Sequence, residues 1–498
     1  MKFLRIGLIL FGILGILNAG NAQHLGAATD NYVTTQKVIY NPASIADPKP
    51  FGDIRIVGVS QLLQNNYIYL PNANFGIDPK DNYDPSRKYN LYSETDIYGP
   101  AFTRAFEHRA FGINIRVRNH VIGRRVPASV AKYAFEGLSY VPLHDQVFDE
   151  KRFMIKNMAW GELGLSYAQI VQRKGNSILT AGGTLKLLNG LSNISFIAKD
   201  LKYSVDSSDL VAGNYTGKLV LTLPGANRGW GTGLDLGVEY KRMLKDNNSH
   251  HVPHSLKGQC QVKDYKYKIG LSMIDLGFIN FKNNTANYKF DNDSIYLNNY
   301  VANPPSGVTD IERKIDESIE SAGADVKKKD KSFSTLPLTF ILQGDYNFEN
   351  NIYLNAQLLI GMQQYNFAGA ERMSTFTLTP RYELKKLTVA VPISIYRYGK
   401  PGVGIYARLW WLSLGMNNVV PLLAKKDLYN VDVYASVNIP IFHSRPCRGY
   451  ENHKGDYCPK PKLKIFNFGN KSKKKKSGGR TKKKKERKRI KTVRRRKK

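Results

Sequence analysis

Apolar and polar residues alternate along most of this chain in runs of about 8 to 12 residues, the period at which successive side chains face opposite sides of a sheet. In 110–118, Ile113, Ile115 and Val117 share one face while Asn114, Arg116 and Arg118 share the other. The same division places Leu234, Leu236 and Val238 opposite Asp235 and Glu239, and Leu387, Val389 and Ile393 opposite Thr388 and Ser394. Fourteen strands follow from the pattern: 54–62, 95–106, 110–118, 157–170, 177–188, 230–242, 264–280, 336–347, 352–361, 373–383, 387–396, 403–409, 411–417 and 429–441. Helical periodicity is confined to the connections, at 130–138 and at 311–329, where Ile311, Ile315, Ile319, Ala322 and Val326 form one stripe. That stripe predicts a lid on the barrel mouth.

Loop lengths separate a membrane barrel from a soluble sandwich, which would show similar alternation. Tight connections near His108, Lys174, Asn350, Lys385 and Trp410 follow even-numbered strands, while long ones follow odd-numbered strands; 243–262 is an exception. Short turns at one end and long loops at the other mark an outer-membrane barrel. In lipid a sheet must close, because an open edge would leave backbone groups without partners. The predicted fold is therefore all-β: a transmembrane antiparallel up-and-down β-barrel of about 14 strands, with short loop helices and both termini in the periplasm. Its apolar faces contact outer-membrane lipid.

Composition adds the compartment. Of the 498 residues 42% are hydrophobic, and no run approaches 18 consecutive apolar residues, which excludes a helical membrane protein. Lys2 and Arg5 precede an apolar run from Ile6 to Leu17, and Gly20 and Ala22 place small residues where a signal peptidase reads them. Cleavage near Ala22 is expected. The net charge of +34 is concentrated: 471–498 holds 19 Lys and Arg against one Glu. Such a tail cannot bury apolar surface and is expected to be disordered.

The elements Asn41-Pro42-Ala43, Gly182-Gly183-Thr184-Leu185-Lys186, Gly231 to Gly237, Asp275-Leu276-Gly277-Phe278-Ile279 and Ser334-Thr335-Leu336-Pro337 occur in an order that resembles a Bacteroidota outer-membrane barrel family labelled a domain of unknown function. That family is similar to FadL-like fatty-acid porins and more loosely to barrels associated with type IX secretion. The resemblance covers about 30–442. It implies a 14-stranded barrel with an N-terminal segment reaching into the lumen, and a lateral exit where the wall kinks. The resulting division is a signal peptide at 1–22, an N-terminal segment at 23–52, the barrel at 53–442, a linker at 443–470 and the tail at 471–498.

No nucleophile elbow, phosphate-cradling loop or zinc-protease helix is present, so neither an enzyme nor a cofactor is expected. His250, His251 and His254 lack carboxylate or thiolate neighbours at ligand spacing and read as a solvated loop rather than a metal site. Cys447 and Cys458 can pair in an oxidising compartment. Lumen-lining candidates are Asn114, Arg116, Arg118, Lys186, Asp235, Glu239, Lys266, Lys268, Arg381, Glu383 and Arg408. Charges of both signs inside a barrel either line a conduit or pair across it and close it. Asp275 breaks parity with Ile269, Leu271 and Met273, which predicts a wall bulge or a position above the lipid band.

In the tail, Lys473, Lys474, Lys475, Lys476, Lys482, Lys483, Arg494, Arg495 and Arg496 are candidate anion-binding residues. Peptidoglycan or periplasmic envelope proteins are the expected partners, since a periplasmic C-terminus seldom meets nucleic acid. Two functions remain open: FadL-like passage of small hydrophobic solutes, or a structural or scaffold barrel of the envelope or of type IX secretion, tethered by the tail.

Overall fold

The computed structural model describes residues 25–73, 77–79, 83–244, 254, 264–298, 300–301, 307–322, 326–365, 367–396 and 401–443. The expected signal peptide, His250 and His251, the Cys447/Cys458 pair and the basic tail lie outside the described residues.

Fourteen antiparallel strands form the wall: β1 Gly52–Asn65, β2 Lys88–Ala105, β3 Arg109–Pro127, β4 Val147–Lys174, β5 Ser177–Val205, β6 Gly229–Met243, β7 Tyr265–Phe281, β8 Thr339–Asn347, β9 Ile352–Gly361, β10 Thr375–Glu383, β11 387–396, β12 402–409, β13 Leu412–Met416 and β14 Asn430–Ile441. β11 is interrupted before Ile393, where Pro392 offers no backbone donor to its neighbour. The sheet closes between β1 and β14, with Gly52 opposite Ile441 and Gln64 opposite Asn430. No strand edge of the wall is then left open to lipid. Tight turns at 106–108, 175–176, 348–351, 384–386 and 410–411 lie at one end of the barrel, together with the long connection 244–264 between β6 and β7, and the other long connections lie at the opposite end.

Burial is inverted relative to a soluble protein. Ile113, Ile115 and Val117 are 41–44% exposed, whereas Asn114, Arg116 and Arg118 are 4% exposed or less. Leu236, Val238, Ile269, Leu271 and Leu342 continue the exposed apolar band on adjacent strands. Aromatic side chains ring its edges. Phe106, Phe111 and Tyr167 contact one another near the tight turns, with ring centroids 5.9 and 5.3 Å apart. Phe278 and Phe333 stack outward at the opposite edge, 4.8 Å apart. An apolar band between aromatic girdles is the surface of a membrane-spanning barrel.

Helices α1 Leu25–Thr29 and α2 Thr34–Tyr40 precede β1, α3 Ala128–Glu136 follows β3, and α4 Val308–Ala322 lies between β7 and β8. Helix thus occurs outside the loops as well. In the segment before β1 a short helix supplies its backbone with internal hydrogen bonds where wall strands cannot reach it. At the long-loop end, β4 and β5 continue past the band. Segments Leu210–Thr222 and Thr285–Leu297 extend the same sheet, with Lys327–Lys329 at its edge. Phe196, Tyr215 and Phe290 stack within this extension. The helix expected over 311–329 ends at Ala322 and packs on the extension, with Ile311, Ile315 and Ile319 joining its core. Residues beyond it enter the Lys327–Lys329 strand, where polar cross-strand partners replace the helical stripe.

Candidate functional site

The barrel interior collects the chain's ionisable side chains, since alternation sends every second residue of each strand inward. Residues 26–47 are buried throughout except for Tyr32, packed among these inward residues. Val38, Ile39, Tyr40 and Ile45 share an apolar cluster with Tyr98, Ile274, Ile341 and Tyr353 of the wall. Polar ties fix the segment around that cluster. Asp30 accepts from Arg408 at 2.7 Å, and the Asn31 amide donates to Glu383 at 3.0 Å and to the Tyr265 hydroxyl at 2.8 Å. Lys49 reaches Glu383 at 3.0 Å and Asp264 at 3.1 Å. Burial alone would depress the Lys49 ammonium, but the two carboxylates hold it well above its ordinary range.

Asn41-Pro42-Ala43 sits against glycines on three neighbouring strands. Asn41 donates to the Val238 carbonyl at 3.1 Å and accepts from the Ala43 amide at 3.0 Å, capping the turn Pro42–Ile45. A β-carbon on Gly182 would lie 2.8 Å from the Ala43 nitrogen, and one on Gly270 would lie 2.8 Å from the Asn41 amide nitrogen. A β-carbon on Gly237 would overlap the Asn41 side-chain oxygen. The glycines are required by this close approach.

Nearer the long-loop end lies a second, denser network. Arg118 meets both oxygens of Asp275 at 3.0 Å and lies 3.3 Å from Asp96. Lys186 bridges Asp235 and Asp275 at 2.6 Å each, and Arg116 pairs with Glu162 at 2.8 Å. Arg372, from the connection between β9 and β10, closes the group on Glu94 at 3.0 Å. Although burial acts against its charge, Glu94 holds the Arg372 guanidinium above its usual range. Glu94, Asp96 and His120 could in principle offer three ligand atoms, all within 4.8 Å of one another. Arg118 and Arg372 already occupy those carboxylates, so a cation there would displace two guanidinium groups.

Residues 42–416 match a family of unknown function, DUF5723. The chain belongs to the DUF5723 family. None of the curated proteins matches it. Similar solved structures include the toluene transporter TodX of P. putida, at 9% identity over 82% of this chain and 95% of that one, with a TM-score of 0.39. The toluene transporter TbuX of Ralstonia pickettii is 10% identical, over 82% and 94%, with a TM-score of 0.38. A FadL homologue of Pseudomonas aeruginosa is 10% identical, over 85% and 98%, with a TM-score of 0.30. Likeness at this level carries no information on route or substrate.

In this DUF5723 barrel Asn114, Arg116, Arg118, Lys186, Asp235 and Glu239 lie buried on inward faces, as do Lys268, Arg381, Glu383 and Arg408. Arg381 pairs with both oxygens of Asp345 at 3.0 and 2.9 Å, and Glu239 pairs with Lys241 at 3.3 Å. Lys266 departs from the expectation. Pairing between β6 and β7 slips a register between Tyr265 and Tyr267, so Tyr265 and Lys268 both point inward. Lys266 is left at the rim, 3.4 Å from Glu349 and over the Tyr346 ring. At Asp275 the β6–β7 register shifts between Met273 and Leu276. Ile274 and Asp275 are both buried, with Asp275 at φ 60° and its amide donating to Asp235 at 2.7 Å.

Sequence reasoning missed Glu94, Asp96, His120 and Glu162, all inward on their strands, and Asp30, Lys49 and Arg372. The first four keep parity with recognised neighbours: Glu94 and Asp96 alternate with outward Ile97, and Glu162 stands opposite Arg116. Arg372 comes from a loop, where no periodicity points inward.

Proposed function

We propose that the protein is an outer-membrane barrel, with tight turns and termini in the periplasm, that passes small hydrophobic solutes when its N-terminal segment shifts. The observation that carries this reading is the occupation of the interior by residues 26–47, held by polar ties such as Asp30–Arg408 and, just after the segment, Lys49–Glu383. Buried ion pairs contribute little net stability compared with the continuous backbone ladder of a closed wall, so the segment is the part that can move without opening the sheet. The irregular wall around Asp275 gives a hydrophobic solute a place to leave sideways into lipid. The test is entry of a hydrophobic fluorescent probe into proteoliposomes bearing the wild-type chain or Asp30→Ala/Lys49→Ala. Faster entry through the variant supports the reading; rates equal to protein-free vesicles for both chains overturn it.

A scaffold role is favoured by one observation of its own: many of the described luminal charges pair with one another across the interior, as Arg118, Lys186 and Arg381 do with Asp275 and Asp345, which supports a closed lumen over a conduit. In that reading the Lys/Arg tail holds peptidoglycan or an acidic periplasmic envelope protein. Tail-dependent co-purification of such a partner, with no probe entry, would favour it.

A further inference from the structure

At the long-loop edge of the apolar band, three adjacent strands present an outward row of Trp230, Asn280 and Phe333 in register, and Phe278 stacks on Phe333. Trp230 is 62% exposed. Directly beyond these rings lies an open basin of about 700 Å³ lined by Lys282, Lys329, Asp330 and Lys331. The Arg228 carbonyl accepts from the Lys282 amide at 3.0 Å, which fixes the turn that carries Lys282.

The basic surface continues across the sheet extension. Lys218 stands opposite Lys289, and Lys289 opposite Lys327, so three lysines lie side by side on neighbouring strands. Like charges directly opposite one another destabilise a sheet. Burial, and then the nearby charge of Lys329, hold the Lys218 ammonium below its ordinary value. Among the described residues none of Lys218, Lys282, Lys289, Lys327, Lys329 and Lys331 forms an ion pair. Lys328, on the other face, does, with Asp316 at 2.6 Å. A row of uncompensated ammonium groups above exposed aromatic rings is complementary to a ligand with anionic phosphate at one end and acyl chains at the other.

We propose that this edge binds a phosphate-bearing anionic lipid of the surrounding leaflet, with Lys282, Lys329 and Lys331 on the phosphate and Trp230, Phe278 and Phe333 against the chain-bearing end. The proposal rests on the membrane-barrel reading and goes beyond the question of passage. Such a lipid neutralises the lysine row and clamps the sheet extension, with its α4 helix, to the membrane surface.

The experiment titrates the full mature chain, in neutral detergent, with dioleoyl phosphatidylglycerol and with zwitterionic dioleoyl phosphatidylcholine, reading bound lipid by native mass spectrometry. The wild type should prefer phosphatidylglycerol. Lys282→Glu/Lys329→Glu/Lys331→Glu should weaken it roughly 10- to 100-fold, as expected for several charges at a lipid surface. Trp230→Ala/Phe278→Ala should weaken both lipids, and a heat-modifiable band on a gel confirms that each variant is folded. Equal phosphatidylglycerol binding by the lysine variant overturns the proposal. So does displacement of the lipid by millimolar inorganic phosphate, which would mark a site for the free anion. A chain that needs no detergent overturns the membrane reading itself, whereas a heat-modifiable barrel with no lipid preference overturns only the lipid site.

Discussion

Asn41 and Gly237 meet in the barrel interior in a contact that leaves no room for a β-carbon, with Gly182 and Gly270 completing the seat on the adjoining strands. The N-terminal segment is thereby located by backbone shape as well as by charge. Gly182→Val should push Pro42 and Ala43 off the wall and cost about 1–3 kcal/mol, the usual penalty for overpacking. The check is a lower heat-modifiability temperature together with faster proteolysis between residues 25 and 51; an unchanged pattern would show that the seat tolerates bulk.

Asp275 holds Arg118 and Lys186 together and lies 3.7 Å from Arg372. Asp275→Ala strands buried cations and should destabilise the barrel by about 3–5 kcal/mol, read from urea refolding in detergent. The milder Asp275→Asn keeps the shape while removing the charge. If the irregular wall there serves as a lateral exit, this variant changes the uptake of hydrophobic probes; uptake identical to wild type would remove that role.

The outward band can be tested by depth. Leu271, between Val238 and Leu342 on its neighbours, is 54% exposed. Leu271→Arg should cost about 2–4 kcal/mol in lipid vesicles, because an unpaired cation then faces hydrocarbon near the midplane. Lys266→Ala at the rim should change stability by no more than about 0.5 kcal/mol. Equal effects at the two positions would contradict the placement of the band.

A chain ending at Asn470 should lose sedimentation with purified sacculi at low ionic strength, and the full chain should lose it as salt is raised. Attraction between exposed charges is screened within about 10 Å at 0.1 M salt. Sedimentation that ignores both the tail and salt would count against tethering.

The alternation of Ile113, Ile115 and Val117 with Asn114, Arg116 and Arg118 made the wall legible, because a strand's side chains take opposite faces whatever its neighbours do. The register slip at Tyr265–Tyr267 was not legible, and Lys266 moved from the interior to the rim with it. A bulge depends on the partner strand as much as on its own residues.

The order of short turns and long loops, written in sequence, was enough to determine fourteen strands and a closed barrel, since lipid tolerates no open edge. Only the tertiary structure decided that Asn41-Pro42-Ala43 rests on Gly182, Gly237 and Gly270, and that Arg118, Lys186 and Arg372 converge on one aspartate. Those contacts join residues as much as 229 positions apart, as Asn41 and Gly270 are, and their existence depends on closure and register, which no local pattern encodes.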